Sequence, residues 1–135
     1  FGFASCPDVC PTALATAKAA RAQLRAQRPD LDVAVSFVSV DPERDTPARL
    51  KEYVEFFHPN MVGVTGSPES LAEIARRYGV FYARQKVETA GGGYVVDHTS
   101  DTYVIAADRQ LVGKIAHATP PDQVAAEIRK RLTQP

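Results

Sequence analysis

The 135-residue chain begins with FGFASCPDVCPT, residues 1–12, a segment that contains both of its cysteines, Cys6 and Cys10. Its apolar start predicts a short strand, and the residues from about Cys10 onward predict a helix. Four residues of helix advance about 6 Å and return to nearly the same face, so both sulfurs belong to one small site. They can share a metal ion or close into a disulfide, and the plainest alternative is two partly buried thiols or a purely stabilising disulfide.

The position of the pair beside a helix start also bears on its chemistry. Unpaired N–H groups and the helix macrodipole stabilise a thiolate there and lower its pKa. We therefore expect reactive or metal-binding sulfur.

Length and composition predict one compact domain over residues 1–135, with 44% apolar residues to build its core. Sixteen basic and sixteen acidic side chains cancel, which argues against nucleic acid as a partner. No apolar run approaches the about 20 residues needed to span a bilayer. Because the chain begins without Met, inside a predicted strand, we expect targeting signals upstream of it.

Helical and strand-like segments alternate along the chain, which predicts an α/β sandwich. The second helix carries an apolar stripe of Leu50, Tyr53, Val54 and Phe57. Four helices are predicted. The first runs from near Cys10 or Pro11 to about Ala26, and the second from Pro47, behind the N-cap Thr46, to before Pro59. The third runs from Pro68, behind the N-cap Ser67, to Gly79, and the fourth follows a capping box of Thr119 and Asp122. Strands are predicted at 33–40, 61–65, 80–87, 94–96, 103–107 and 111–115, with 33–40 central and covered on both faces and 108–110 a hairpin connection.

A strand leading to a cysteine pair at a helix start, then βα units, a hairpin and a last helix, predicts a thioredoxin-like domain. The spacing is Cys-x-x-x-Cys and not the redox Cys-x-x-Cys. A full helical turn between the sulfurs makes a bridging metal ion a good competitor to a disulfide bond.

Two thiolates favour soft metals, namely Cu(I), Zn(II) or iron–sulfur clusters. Structural zinc and clusters usually need four protein ligands, whereas Cu(I) accepts two sulfurs and one imidazole. Of the three histidines, we favour His98, which is predicted in a loop that can face the helix start, with Asp97 orienting its ring. His58 is predicted to cap the second helix, and His117 to lie at the surface.

Four segments taken together resemble the Sco/SenC family of copper-binding thioredoxin-like proteins. They match in order and spacing, and the resemblance covers nearly the whole chain. The segments are FGFASCPDVCPT (1–12), VSVDPERDTP (38–47), GVTGSPE (63–69) and VDHT (96–99). One departure is the polar run Ser100–Thr102, where family members tend to be apolar.

The resemblance implies a central mixed sheet flanked by about four helices, with the family's early strands and N-terminal membrane anchor missing from this chain. It implies copper, as Cu(I) or Cu(II), bound by Cys6, Cys10 and His98. It also implies assembly of the dinuclear copper centre of cytochrome c oxidase, on the periplasmic side of a bacterial inner membrane or in the mitochondrial intermembrane space. The expected partner is the copper-centre subunit or another copper chaperone.

Three functions fit these residues. A metallochaperone would hold copper and pass it on by ligand exchange. A thiol–disulfide oxidoreductase would use Cys6 and Cys10 as catalytic residues on the acceptor's cysteines, and a copper or redox sensor would signal its loaded state. The loop of residues 41–46, called the acidic loop below, gives a further expectation. Its carboxylates, Asp41 and Asp45, touch the site or a partner, or else they serve turn formation and helix capping.

Overall fold

The computed structural model describes residues 1–6, 9–86 and 94–133. This part of the chain is mixed α/β, with four helices and six short strands, as the alternation of segments predicts. In chain order the elements are α1 (Val9–Gln27), β1 (Ser36–Val38), α2 (Pro47–Phe57), β2 (Val62–Val64), α3 (Pro68–Tyr78), β3 (Tyr82–Lys86), β4 (Tyr94–His98), β5 (Thr102–Ile105), β6 (Leu111–Ile115) and α4 (Pro121–Thr133).

The predicted boundaries of α2 and α3 are confirmed by their caps. The hydroxyl of Thr46 accepts a hydrogen bond from the Arg49 N–H, and that of Ser67 from the Ser70 N–H. A proline follows each cap in the first turn, where a missing N–H has no cost. Gly79 ends α3 with a φ of 69°, in the left-handed region that glycine adopts without strain.

The predicted capping box at the start of α4 is wrong. The Thr119 hydroxyl donates to the Ala116 carbonyl at 2.7 Å and so belongs to the turn before the helix, where Ala118 has a φ of 67°. The helix begins at Pro121 instead. One face of the helix is apolar: Val124 is buried, and Ile128 and Leu132 pack against the same cluster.

The strands pair locally within the described residues, in three two-stranded ladders and not in one continuous central sheet. Strand β1 pairs with β2 in parallel, and β3–β4 and β5–β6 are antiparallel, the last pair joined by the predicted hairpin. Gly2 bridges Ser39 in parallel, which places the N-terminal stretch beside the end of β1.

The predicted strand 33–40 is shorter than expected and is not covered on both faces. Only Ser36–Val38 forms β1, and the Ser36 side chain is exposed. Before β1, the carbonyl of Val33 accepts from the Arg21 side chain at 2.8 Å, and the first bond from a neighbouring strand comes at Val35, whose carbonyl accepts from the Val62 N–H at 3.1 Å.

Apolar clusters surround the cysteine-bearing stretch. Cys10 belongs to a cluster between α1, β1 and α2, and Cys6 packs against it. Cys6 also packs against a second cluster formed by Phe3, Val40 and Val96. The sulfurs therefore lie where two parts of the core meet.

Among the described residues, none of the helices has the combination of length and apolar character that a membrane span requires.

Candidate metal centre

Three elements bring Cys6, Cys10 and His98 together. Cys6 lies just before α1, Cys10 is the second residue of α1, and His98 is the last residue of β4. Their two sulfurs and one ring nitrogen all lie within 4.8 Å of one another. The predicted loop position of His98 is wrong, because β4 continues to His98 by pairing it with Tyr82 of β3.

The His98 ring is oriented so that one nitrogen faces the sulfurs. Nδ1 lies 2.9 Å from the Thr99 carbonyl oxygen, which can only accept, so Nδ1 carries the proton and donates. This leaves the lone pair of Nε2 free, 3.5 Å from Cys10 Sγ. Phe3 packs edge-on against the ring, with centroids 5.9 Å apart. The side chain of Asp97, predicted to orient the ring, lies outside the described residues.

Burial keeps the Cys10 sulfur protonated in the metal-free site. Cys10 is 2% exposed, and burial together with its hydrogen bond to Cys6 raises its pKa to about 12. The sequence-based expectation of a lowered pKa at this helix start is therefore wrong for Cys10, because desolvation of a thiolate outweighs the favourable dipole. A metal ion entering the site has to displace this proton, as thiolate ligation requires.

The Cys6 sulfur lies close to the helix start. Its Sγ accepts a hydrogen bond from the Cys10 N–H at 3.4 Å, so one of the unpaired N–H groups of α1 is directed at the sulfur. Both cysteines are free. Helix α1 thus contributes to the site twice. Its backbone N–H at Cys10 holds the Cys6 sulfur, and the Cys10 side chain provides the second sulfur.

The acidic loop before α2 faces inward. Asp41 and Asp45 are 0% and 1% exposed, so their carboxylates do not offer a surface to a partner. Asp45 Oδ2 accepts from the Ala4 N–H at 3.0 Å and from the Ser39 hydroxyl at 2.6 Å, while Asp41 pairs with Arg44. Thr46, and not either aspartate, caps α2. Asp45 therefore holds the backbone at Ala4, two residues before Cys6, through a hydrogen bond.

A second attachment of the cysteine segment comes from α2 itself. Arg49 Nη2 donates to the Ser5 hydroxyl at 2.8 Å. The residues on the N-terminal side of Cys6 are thus held by the acidic loop at Ala4 and by the helix at Ser5.

The other histidines lie outside the cluster. His58 is the C-cap residue of α2, as predicted, and its Nδ1 accepts from the Asn60 N–H at 3.0 Å. His117 follows β6 and is partly buried. Within the described residues, the Cys6–Cys10–His98 group is the one set of three such side chains arranged to hold a metal ion.

An apolar cavity of about 330 Å³ borders the site. Cys10 and His98 lie on its wall, together with Leu14 of α1 and Val104 of β5. His98 is itself partly exposed. Of the three proposed ligands, Cys6 and His98 are therefore the partly exposed ones, and Cys10 is the buried one.

Two residues near the sulfurs were not singled out from the sequence. A Cβ at Gly2 would lie 2.6 Å from Cys10 Sγ, so glycine is needed for this close approach. Tyr53, predicted only as part of the apolar stripe of α2, packs against the cluster that contains Cys10 and has a buried hydroxyl, whose pKa is raised to about 12, chiefly by burial and then by Cys10, Cys6 and Asp45. No local pattern signals either role, because both arise from contacts between distant parts of the chain.

The described residues thus form an α/β protein with two free cysteines, four residues apart, and an imidazole nitrogen directed at them. The chain belongs to the SCO1/SenC family, whose family model matches residues 1–133. This confirms the resemblance seen in the sequence motifs, and the fold is thioredoxin-like, as predicted.

Named relatives agree with this assignment. The chain is 42% identical over 134 residues to protein SCO1 homolog 1, mitochondrial, of Arabidopsis thaliana, covering 99% of this chain and 39% of the relative. It is 40% identical over 129 residues to a SCO2-like protein of Rickettsia conorii, covering 96% and 62%. The chain therefore spans less than two thirds of the length of each of these relatives.

A solved structure is also similar. The copper-bound structure of Arabidopsis thaliana ScoI superposes with a TM-score of 0.87 at 37% identity, covering 97% of this chain and 80% of that one.

Proposed function

We propose that this chain binds one copper ion through Cys6 Sγ, Cys10 Sγ and His98 Nε2. The observation that carries the proposal is the approach of these three atoms to within 4.8 Å. Thiolates and imidazole suit copper, and Cu(I) accepts three ligands, whereas structural zinc usually takes four protein ligands. The copper-bound state of the similar Arabidopsis ScoI supports the same choice.

The proposed role is that of a metallochaperone, with copper as its cargo. A three-ligand site leaves a coordination position open, and the partly exposed His98 leaves that side accessible to an incoming thiolate. The acceptor's cysteine then attacks copper before the outgoing ligand leaves. The proposed destination is the dinuclear copper centre of cytochrome c oxidase, reached through its copper-centre subunit or another copper chaperone. Such delivery places the protein on the periplasmic side of a bacterial inner membrane or in the mitochondrial intermembrane space.

A replacement of His98 tests the ligand set. His98→Ala removes one of three ligands, and loss of an outer partner alone costs 10- to 100-fold in affinity, so copper binding should weaken by more than about a hundredfold. The thiolate-to-Cu(II) absorption band should change or vanish. His58→Ala is the matched control, because His58 caps α2 outside the cluster. One equivalent of copper with an unchanged spectrum in His98→Ala would contradict the proposal.

A thiol–disulfide oxidoreductase is the second candidate, favoured by two free sulfurs less than 4.8 Å apart. In that reaction an acceptor disulfide takes two electrons and two protons and becomes two thiols, while Cys6 and Cys10 join in a disulfide. Disulfide exchange that persists in His98→Ala while copper binding is lost would show that the sulfurs carry this activity without the imidazole. Equal loss of both activities would argue against two separable functions.

A further inference from the structure

The His98 ring needs more than its own torsion angles to keep Nε2 directed at the sulfurs. The torsion that turns an imidazole about its Cβ–Cγ bond is intrinsically broad, and the hydrogen bond from Nδ1 to the Thr99 carbonyl fixes only one point of the ring. His98 also lies on the wall of the apolar cavity of about 330 Å³, which gives the ring space to turn. A second contact is therefore needed to fix the plane of the ring.

The Phe3 ring provides this second contact. It is 3% exposed and meets the imidazole edge-on, with centroids 5.9 Å apart and an interplanar angle of 90°. Such a perpendicular arrangement is a favoured geometry of aromatic pairs. Val96, two residues before His98 on β4, is buried in the same cluster as Phe3, so the Phe3 ring packs beside this strand.

Phe3 is itself held at both its ring and its backbone. The guanidinium carbon of Arg44 lies over the Phe3 ring, 5.7 Å from its centre, and Arg44 is paired with the buried carboxylate of Asp41. At the backbone, the Phe3 carbonyl accepts from the Cys6 N–H at 3.1 Å. Phe3 thus contacts two of the proposed copper ligands, Cys6 through its main chain and His98 through its side chain.

We propose that Phe3 is a positioning residue of the copper site, whose ring holds the His98 imidazole with Nε2 directed at the sulfurs before copper binds. This inference rests on the copper ligation proposed above. A ring that is already ordered in the metal-free protein loses little further freedom on binding. Copper affinity is therefore higher than it would be if the metal ion had to order the ring.

The experiment is Phe3→Leu, which keeps an apolar side chain at this position and removes the ring. In the reduced, metal-free protein, carbon-13 relaxation should show a lower order parameter for the Cε1–H bond of His98, because the imidazole is released. Competition with a Cu(I) chelator should show a dissociation constant raised about tenfold, the lower end of the loss that follows removal of an outer partner of a histidine ligand.

A double-mutant cycle with His98→Ala shows whether the effect passes through the imidazole. If Phe3 acts on copper through His98, Phe3→Leu should cause no further loss of copper affinity in a chain that already lacks the imidazole. The same loss in both backgrounds would show that Phe3 does not act through His98. The inference would then fall while the proposed function stands.

Ile115→Ala is the control for loss of stability alone. Ile115 is buried in the cluster with Leu24 and Val124, whose described members include none of the proposed ligands. This variant should lose stability but keep the wild-type order parameter of His98 and the wild-type copper affinity. If it instead matches Phe3→Leu in both measurements, the effect of Phe3 is one of stability, and the inference is wrong.

Phe3→Met is the second variant, for use if Phe3→Leu does not fold. Its flexible, unbranched side chain fills irregular core space at little cost, but it also lacks the ring, so the same two changes are expected. A wild-type order parameter of His98 in either folded variant would overturn the inference. If the wild-type protein binds no copper although the His98 ring is ordered, the proposed function falls and this inference falls with it.

Discussion

At Gly2 the backbone passes so close to Cys10 that no side chain fits between them. A Cβ there would lie 2.6 Å from the sulfur and 2.8 Å from the Phe37 ring. Gly2→Ala should therefore destabilise the fold by about 1–3 kcal/mol, as overpacking of a core does, and weaken copper binding by displacing the sulfur. Urea unfolding and a Cu(I) titration measure the two effects.

Gly66→Ala is the control for this prediction. The nearest atom to a Cβ at Gly66 is Ser70 Cβ at 3.7 Å, which is an ordinary contact. The control should keep wild-type stability and copper affinity to within about 0.5 kcal/mol. A Gly2→Ala protein as stable as this control would show that the close approach is not a constraint.

Single residues also show what the sequence can and cannot predict about the site. Cys6, Cys10 and His98 could be grouped in advance because ligand chemistry limits the choice to two cysteines and three histidines. The role of Gly2 could not, since glycine is common in turns and strands. Its importance comes from its close approach to the Cys10 sulfur, which no local spacing encodes.

At the scale of elements, Asp45 connects the loop before α2 to the N-terminal stretch and to Ser39 beyond β1. Asp45→Asn removes the charge that strengthens the bonds from the Ala4 N–H and the Ser39 hydroxyl. We expect a loss of about 1–3 kcal/mol in unfolding free energy, measured by urea unfolding of the reduced, metal-free protein. Copper affinity should fall as well, because Ala4 is two residues from Cys6.

Glu43→Gln makes the same chemical change in the same loop and serves as its control. Glu43 is exposed, and its ion pair with Arg84 spans 3.1 Å between two exposed side chains. Such a pair contributes less than about 1 kcal/mol. Equal effects of the two substitutions would mean that the hydrogen bond from Ala4 to Asp45 does not hold Cys6 in place.

The elements themselves were predictable to different degrees. The caps at Thr46, Ser67 and Gly79 are local signals, so α2 and α3 have the predicted bounds. Strand ends depend on partners elsewhere in the chain, which is why β1 is shorter than its apolar run and β4 reaches His98. At α4 the hydroxyl of Thr119, which the sequence predicted to cap the helix, donates instead to the Ala116 carbonyl in the turn before it.

At the scale of the whole molecule, the site lies at the junction of separate parts of the core. Cys10 belongs to the cluster formed with Phe37 and Leu50, whereas Cys6 also packs on the cluster of Phe3 and Val96. Composition predicted a single apolar core of adequate size, but the sequence could not show that the two sulfurs lie between two clusters. Metal binding therefore joins parts of the molecule that are far apart in the chain.

Burial of ionisable groups in this core predicts that the reduced, metal-free protein loses stability at alkaline pH. The pKa of Cys10 is raised to about 12 in the folded protein, chiefly by burial, whereas a thiol in an unfolded chain has a pKa of about 8.5. Between these values the unfolded chain has released the proton and the folded chain retains it. Stability is then complete below about pH 8.5 and falls as pH rises, by up to about 1.4 kcal/mol per pH unit for this group.

Cys10→Ala isolates this contribution from those of other groups, such as Tyr53, that also keep their protons on folding. Unfolding free energies of both proteins are measured in urea with a reductant and a chelator present, at about pH 8 and at about pH 10.5. The wild-type protein should lose more stability than Cys10→Ala over this interval, because only the wild type buries a thiol that resists ionisation. If the two proteins lose the same amount, burial of the thiol does not oppose its ionisation.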